Sequence, residues 1–565
     1  MSSVDALDSV AQARQMDGPS FSLPWRSFKE FFETRVNDPL QAERPFLAYV
    51  DDDRRLRRTY TYSHFGRTVG EIARVMWRLG VRRGDRVATI FFNHDQVVLL
   101  YFAAWTLGVA VVPINAEESE QKKRYILEHS ESKLIFCWAE YLEEVRAIQK
   151  QVPTLRDVIP LGDDGLLAPA PLDPSSNGDS FGPEEGNLGD EALIVYTSGT
   201  TGEPKGVVLT TENLLVDADG IAEWHGFKSD DRLMCVLPIH HVNGAVVTLV
   251  TPFYFGGSVV LNRKFKSGTF WRRLHEEQVT CVSVVPTILE FLLMANEDLR
   301  PCELSRFRGV ICGAGPLLKE TAERFTERFG FPIHHGYGLS ESTCYSCFLP
   351  CDLSAEERRR WLTAYEFPSI GAPIRHNEMA ILDDRGRPLP EQAWGEICIR
   401  GRTICRGYFK RPDANEAAFR RGWFRSGDEG FYVKDQGGRS FFFITGRIKE
   451  LIIRGGVNIS PLEIDEVLRS HAEVKFAMAV PFEHRLYGEE IAAYVVPKNP
   501  LASPKEADLL AYCRCRLPFA KRPKVILFGE DVPYTSTGKP KRIELKRRLA
   551  PALAAYREVK FADQG

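Results

Sequence analysis

Apolar positions along the chain repeat with two different periods, and the switches between them mark its elements. Residues 59–85 (TYTYSHFGRTVGEIARVMWRLGVRRGD) read as a strand, a Ser63 cap and an amphipathic helix, and residues 86–92 (RVATIFF) as a buried strand. Strands alternating with helices of this length imply parallel α/β layers. Residues 97–114 (VVLLYFAAWTLGVAVVPI) carry no charge over 18 positions, the lower limit of a membrane span. Gly108 reads as a helix stop and residues 109–113 as a short strand, so burial inside an α/β core explains the run. Between Leu161 and Glu191 the pattern gives way to Gly, Pro, Ser, Asn and acid, a surface linker or long loop. Alternation resumes from Ala192 to about Gly446, with short β-rich segments and turns after about Thr363. Residues 281–294 (CVSVVPTILEFLLM) are expected to be a helix with a mainly apolar face and Glu290 toward solvent. A smaller unit begins near Lys449, with PLEIDEVLRSH as a helix, FAMAVPF and EEIAAYVVP as strands, and a basic helix after Pro540. The expected fold is α/β: an N-terminal domain over residues 1–448, of layered α/β subdomains plus a β-rich segment, and a small α+β C-terminal domain over residues 449–565.

Composition narrows the classes. The 565 residues carry 73 Lys+Arg against 76 Asp+Glu, a net charge of −3, with 44% hydrophobic and 26% charged residues. That excludes a disordered, collagen-like or disulfide-framework protein, and a nucleic-acid binder working by bulk positive charge. Twelve cysteines without a repeating frame suit a reducing compartment. The first twenty residues contain Asp5, Asp8, Arg14 and Asp17 and no apolar run, so a cytoplasmic protein is expected.

The most informative stretch is residues 194–208, IVYTSGTTGEPKGVV. A β-branched strand leads into Thr197, Ser198, Gly199, Thr200, Thr201 and Gly202, and Lys205 opens a second strand. Glycines let backbone N–H groups turn inward, hydroxyls add donors and Lys205 adds a compact charge, which together suit a polyphosphate. It is not a Walker A loop, because Lys205 precedes Gly206 and a strand where that loop has Lys-Ser/Thr and a helix. A flexible hairpin turn is the bland alternative.

Seven further segments follow in order: LPIHHVNG (237–244), CGAGPL (312–317), HGYGLSE (335–341), GEICIRG (395–401), GWFRSGDEG (422–430), GRIKELIIRGGVNISPLEID (446–465) and PYTSTGKPKR (533–542). With the loop, they make nearly the whole chain resemble the adenylate-forming superfamily of acyl- and aryl-CoA synthetases, peptide-synthetase adenylation domains and luciferases, and most closely the acyl-CoA synthetases. The resemblance implies two steps: a carboxylate attacks the α-phosphate of ATP to give acyl-AMP and pyrophosphate, then a thiol, here coenzyme A, displaces AMP.

The site residues follow from that resemblance. Glu341 matches the Mg²⁺ ligand, a hard oxygen donor of the kind Mg²⁺ prefers. Ser340 replaces a frequent Thr and keeps a hydroxyl for the α-phosphate. Tyr337, between Gly336 and Gly338, matches the ring that packs on adenine, with the backbone of Gly313, Ala314 and Gly315 as the opposite wall. Asp428 matches the carboxylate that accepts from both ribose hydroxyls, and Arg447 a ribose and phosphate contact. Lys539 matches the lysine that reaches the α-phosphate, and Lys449 the hinge about which a mobile C-terminal domain turns to present Gly455 and Gly456 to the pantetheine arm; an ordinary turn is the bland alternative for that pair. His241 matches the wall near the substrate carboxylate.

Cys344, Cys347 and Cys351 have a spacing reminiscent of metal ligands, but a zinc site needs four converging groups, and they are read as core or pocket thiols. The run Lys541, Arg542, Lys546, Arg547 and Arg548 is read either as attracting CoA phosphates or as a solvated face. LPIHHVNG lacks the Asp that peptide-synthetase domains use for an α-amine, and no Asp or Glu lies between Leu237 and Glu276. The expected substrate is a medium-chain fatty or aromatic monocarboxylic acid joined to free CoA. The alternatives are a stand-alone adenylating enzyme loading a carrier protein or amine, a luciferase-like oxygenase and a catalytically silent binding protein. A homodimer is left open.

Overall fold

The computed structural model describes residues 3–16, 21–162, 181–197, 203–295, 297–534, 540–559 and 561. Among these, three sheets of fourteen, seven and five strands organise the chain. In the largest, Pro45–Asp51, Ser258–Asn262, Arg232–Cys235, Cys281–Val284, Val310–Cys312 and Ile333–Tyr337 run parallel. Beyond Ile333–Tyr337 the same sheet turns antiparallel, through Cys347–Phe348, Ser369–Pro373, Ser440–Arg447, Trp423–Lys434, Gly395–Gly401 and Asn377–Leu382. The strand Ile333–Tyr337 is therefore a seam, where helices give way to hairpins as connections. Irregular backbone is left free at such a seam to meet a ligand.

The seven-stranded sheet contains Ala110–Ile114, Arg86–Ile90 and Leu134–Trp138 in parallel, and ends in the antiparallel group Glu191–Thr197, Lys205–Thr210 and Gly407–Tyr408. The uncharged run forms the helix Asp95–Thr106 and the strand Ala110–Ile114, with Gly108 at φ 67° between them. Val97 to Trp105 are all buried, as expected of a helix enclosed on every side. Among the described residues no helix is long and apolar enough to cross a membrane.

Two local expectations are corrected. The helix Tyr62–Arg78 is capped by Thr61, whose hydroxyl accepts from the His64 N–H at 3.2 Å, and Ser63 is already inside it. Residues 281–294 are a strand, Cys281–Val284, followed by the helix Pro286–Ala295. β-branched Val282 and Val284 suit a parallel strand, and Pro286 fits a first helical turn, where no N–H is needed. Glu290 is half-buried and accepts from the Thr321 hydroxyl of the neighbouring helix.

The five-stranded sheet contains Ile452–Arg454, Val457–Ile459, Val474–His484, Gly488–Pro497 and Val525–Phe528, with the helices Pro461–Arg469, Glu506–Arg514 and Arg542–Leu553. It touches the rest of the chain through Leu462, packed on the apolar cluster that contains Phe441 and Phe443, and through polar contacts such as Lys319 N–H to Glu466 at 3.3 Å and Lys521 to Glu366 at 3.2 Å. The basic helix is mostly spent on internal pairs. Arg542 is held by Asp465 at 2.6 Å, Lys546 by Glu489 at 3.2 Å and Arg548 by Asp531 at 2.9 Å.

Candidate active site

Thr197 and Lys205 face each other at the open end of a hairpin whose strands pair in register from Leu193↔Leu209 to Thr197↔Lys205. Ser198, Gly199, Thr200, Thr201 and Gly202 lie outside the described residues. Lys205 Nζ sits 4.9 Å from the centre of the Tyr408 ring, within cation–π range. The Tyr408 hydroxyl donates to Glu341 Oε1 at 2.8 Å. Burial and the nearby Arg411 lower the Lys205 pKa, Glu341 opposes them, and Lys449 adds repulsion. Lys205, Glu341 and Lys449 therefore share one electrostatic neighbourhood although they come from three parts of the chain. Tyr408, which links the first two, escaped the sequence reading. It arrives on a two-residue strand paired with Val207 and Val208, and its only sequence signal is the Gly407-Tyr408 pair.

Glu341 lies in the single helical turn Ser340–Ser342, directly after the seam strand. Gly338, at the bend, has no room for a side chain: a Cβ there would lie 1.9 Å from the Cys344 carbonyl oxygen. Gly336 and Tyr337 end the strand itself, and Gly313, Ala314 and Gly315 follow the adjacent strand Val310–Cys312. Ala314 has φ 62°, a left-handed conformation costly for a residue with a Cβ. The expected adenine wall is thus a strained turn beside the seam.

Tyr337 is 8% exposed and its hydroxyl donates to Asp428. Asp428 is fully buried and its Oδ1 lies 2.8 Å from Arg447 Nε, the two residues being direct partners across antiparallel strands. The Ser426 hydroxyl accepts from the Asp428 N–H at 3.0 Å, and the Ser426 carbonyl accepts from Arg447 Nη1 at 3.2 Å. Asp428 raises the Arg447 pKa against burial. The pair leaves a fixed carboxylate with a charged partner on one side, an arrangement that can accept from hydroxyl groups.

His241 is half-buried at the entry to the π-helix Asn243–Val250, its ring 4.5 Å from that of His240. The preceding loop is pinned by Asn93, which sequence reading missed: its Oδ1 accepts from the Ile239 N–H at 2.9 Å and its amide donates to the Leu237 carbonyl at 2.9 Å. Beyond it lies a buried neutral line. Ser283 donates to Asn243 Oδ1 at 2.6 Å, and Asn243 Nδ2 donates to the Tyr345 hydroxyl at 3.2 Å. Asp217, fully buried on the helix Thr211–His225, has its carboxyl pushed well above the usual range by burial, with the Tyr345 backbone pulling the other way.

Gly455 and Gly456, at φ 58° and 83°, form the two-residue turn joining Ile452–Arg454 to Val457–Ile459. Left-handed conformations at both positions are what such a hairpin requires, and nothing lies within 4 Å of a Cβ placed on Gly456. Lys449 is exposed in the turn Ile448–Glu450. Lys539 lies outside the described residues. Cys344 and Cys347 are buried, Cys347 donating to the Ile370 carbonyl at 3.2 Å, whereas Cys351 turns to His334 at 3.5 Å.

Comparison with known proteins gives this arrangement a lineage. Sulfoacetate–CoA ligase of Cupriavidus necator is 33% identical over 504 residues, covering 89% of this chain and 94% of that protein. Feruloyl-CoA synthase of an Amycolatopsis species is 30% identical, covering 86% and 94%. Among solved structures, ATP-bound MatB from Rhodopseudomonas palustris superposes with a TM-score of 0.81 at 25% identity, over 92% of this chain and 99% of the other. The Bacillus subtilis o-succinylbenzoate CoA synthetase with its acyl-adenylate gives 0.78 at 29%, over 91% and 97%. The models for the AMP-binding enzyme and for its C-terminal domain match residues 37–409 and 463–539, so the chain belongs to the AMP-binding enzyme family and is an AMP-forming acid–CoA ligase.

Proposed function

We propose that this ligase, which uses ATP and CoA, activates a hydrophobic monocarboxylic acid of medium-chain fatty or aromatic type. One observation carries the reading: from Ile239 to Phe348 every Lys and Arg except Arg263 is engaged by an acid or a backbone carbonyl. Asp53 holds Lys264 and Lys266, Asp52 holds Arg273, Asp231 holds Arg308, and the Tyr365 carbonyl accepts from Lys319. Arg272, Arg300, Arg306, Arg324 and Arg328 meet surface acids or carbonyls, and Arg263, over the Phe92 ring, is the exception, with its Nη1 buried and without a hydrogen-bond partner. A second acid group on the substrate would be desolvated without a counter-charge, which costs several kcal/mol. The same holds for an ammonium, since Glu290 is engaged with Thr321 and burial pushes the Asp217 carboxyl well above the usual range, against the charged form.

In this reading the substrate carboxylate enters past His241, between Glu341 and the strained turn at Ala314. Tyr337 packs on adenine, Asp428 accepts from the ribose hydroxyls and Arg447 contacts ribose and phosphate. Lys205, Thr197 and the 198–202 loop hold the β- and γ-phosphates, with Ser340 at the α-phosphate. Glu341 is the residue to hold Mg²⁺; its carboxylate is a hard donor beside Lys205, and the ion would neutralise charge developing on the phosphates. Lys539 reaches the α-phosphate in the first step, the carboxylate oxygen bonding to phosphorus as pyrophosphate leaves. Rotation of residues 449–565 about Lys449 then exchanges Lys539 for Gly455 and Gly456, and the CoA thiolate displaces AMP from the acyl carbon. Twelve cysteines, all free, accord with a cytoplasmic protein.

A pyrophosphate-release screen tests the substrate reading. Release should rise with apolar fatty and aryl acids in the presence of CoA and stay near background with oxalate, sulfoacetate and the standard amino acids. A preference for a dianion or zwitterion overturns it.

A further inference from the structure

On the flank of the large sheet, away from Glu341, three metal-ligating side chains meet. His225 ends the helix Thr211–His225, His334 lies on the seam strand three residues before Tyr337, and Cys351 follows the short strand Cys347–Phe348. One ligand atom from each, two imidazole nitrogens and a sulfur, lies within 4.8 Å of the others. His334 Nδ1 and Cys351 Sγ are 3.5 Å apart. Groups bound to one tetrahedral zinc at ~2.0–2.3 Å stand roughly 3.3–3.8 Å from one another, so small side-chain rotations complete the set.

A second observation points inward. His225 is 3% exposed; its Nδ1 is 2.9 Å from the Ile221 carbonyl, which accepts and so fixes the proton there. Nε2 is then an acceptor, and it is buried with no hydrogen-bond partner. An unpaired buried acceptor costs free energy that a metal bond would recover. Both it and Cys351 border a half-open pocket of about 180 Å³, shared with Cys281, Arg308 and Arg358.

We infer that His225 Nε2, His334 Nδ1 and Cys351 Sγ form a three-ligand site for a zinc ion, with a fourth position open to the pocket. Thiolate and imidazole are the donor set zinc favours over magnesium or calcium. Binding converts the Cys351 thiol to a thiolate, its proton passing to solvent as the Zn–S bond forms. The two guanidinium groups would repel a bare cation, but Arg308 is engaged by Asp231 at 3.2 Å. Arg358 donates to the Leu353 carbonyl at 3.3 Å, and its Nη1 is buried without a hydrogen-bond partner. Burial pushes the Cys351 thiol pKa up to about 11, with Arg358 and Arg308 pulling it only partly back, so the proton leaves as the metal binds, and the same positive charge favours an anion, hydroxide or carboxylate, in the open position. The ion would tie together a helix end, the seam strand and the loop after Phe348, which the fold otherwise joins through ring packing such as His225 on Phe348 at 4.7 Å.

The full chain, freed of metal by a chelator and kept reduced, is titrated with Co²⁺. One equivalent should bind with a thiolate-to-cobalt charge-transfer band and tetrahedral visible bands, both removed by Zn²⁺, and Zn²⁺ should raise the Tm. Cys351→Ser should abolish the charge-transfer band, and His225→Gln should weaken binding at least tenfold, each with its metal-free Tm close to that of the parent. Cys515→Ser, at an exposed thiol, should leave the band intact. If Cys351→Ser fails to fold, His225→Gln alone decides. No thiolate band, a band that persists in Cys351→Ser, or unchanged affinity in His225→Gln overturns the inference.

Discussion

The two ends of the proposed active site use opposite electrostatics. At the nucleotide end charges are met by charges: Asp428 by Arg447, and Glu341 by the field of Lys205. At the acyl end Ser283, Asn243 and Tyr345 are neutral and joined in a line, and burial pushes the Asp217 carboxyl well above the usual range. The nucleotide is the same for every member of such a family, so its charges can be answered by fixed groups. An acyl chain offers no charge beyond the reacting carboxylate, and shape and neutral donors must select it.

The largest test removes a charge from the nucleotide end. Lys539→Ala should lower acyl-AMP formation by on the order of 10² or more, the scale of losing one transition-state contact, while thioester formation from supplied acyl-AMP survives. Equal loss in both half-reactions would break the division of labour assigned to Lys539. Next, Gly456→Leu should cut transfer to CoA by roughly tenfold or more through misplacement of the thiol, leaving ATP–pyrophosphate exchange in place. Because φ is 83° there, a side chain also costs about 1–2 kcal/mol, so the variant's Tm is measured alongside.

At the acyl end, Tyr345→Phe leaves Asn243 short of a partner, a cost of about 1–3 kcal/mol. The KM for the acid should rise by roughly tenfold with the KM for ATP unmoved; a matching change in both would place Tyr345 outside the acyl pocket. The smallest effect concerns Asp217. A carboxyl whose folded pKa is raised binds more protons in the native than in the unfolded state between the two pKa values. Stability therefore falls as pH rises from about 4 through the folded pKa, by up to about 1.4 kcal/mol per unit. Asp217→Asn should remove that slope and gain Tm relative to the parent as pH is raised. Parallel Tm–pH curves for parent and variant would mean that Asp217 is ionised in the native state.

The same contrast decides what was legible beforehand. The strands on either side of residues 198–202, with Lys205 opening the second, and the Gly108 stop are local, so sequence carried them, and the hairpin pairing and the positive φ of Gly108 bear this out. Tyr408 was not legible, because it reaches Glu341 only when a two-residue strand pairs some 200 positions back in the chain. Asn93 acts on a loop 146 residues away, and Asp217 gains its meaning from burial against Tyr345. The spacing of Cys344, Cys347 and Cys351 drew attention to the right cysteine with the wrong companions, since two histidines from other elements turn toward it. Thr61 displaced Ser63 as a cap because the chain enters the helix two residues earlier than hydropathy suggests.

Asp428 and Arg447 differ in one respect that bears on how the protein moves: the carboxylate is sealed from solvent, whereas the Arg447 side chain is 46% exposed and stands two residues before Lys449. In the proposed rotation of residues 449–565 Arg447 stays on the strand paired with Asp428, since drawing it outward would strip a buried anion of its partner, an expensive event in the empty protein. Ribose hydroxyls occupying Asp428 would lower that toll. In the proposed function the pair would be a fixed anchor beside the hinge at Lys449, and small-angle scattering with and without AMP tests whether the spread of shapes changes.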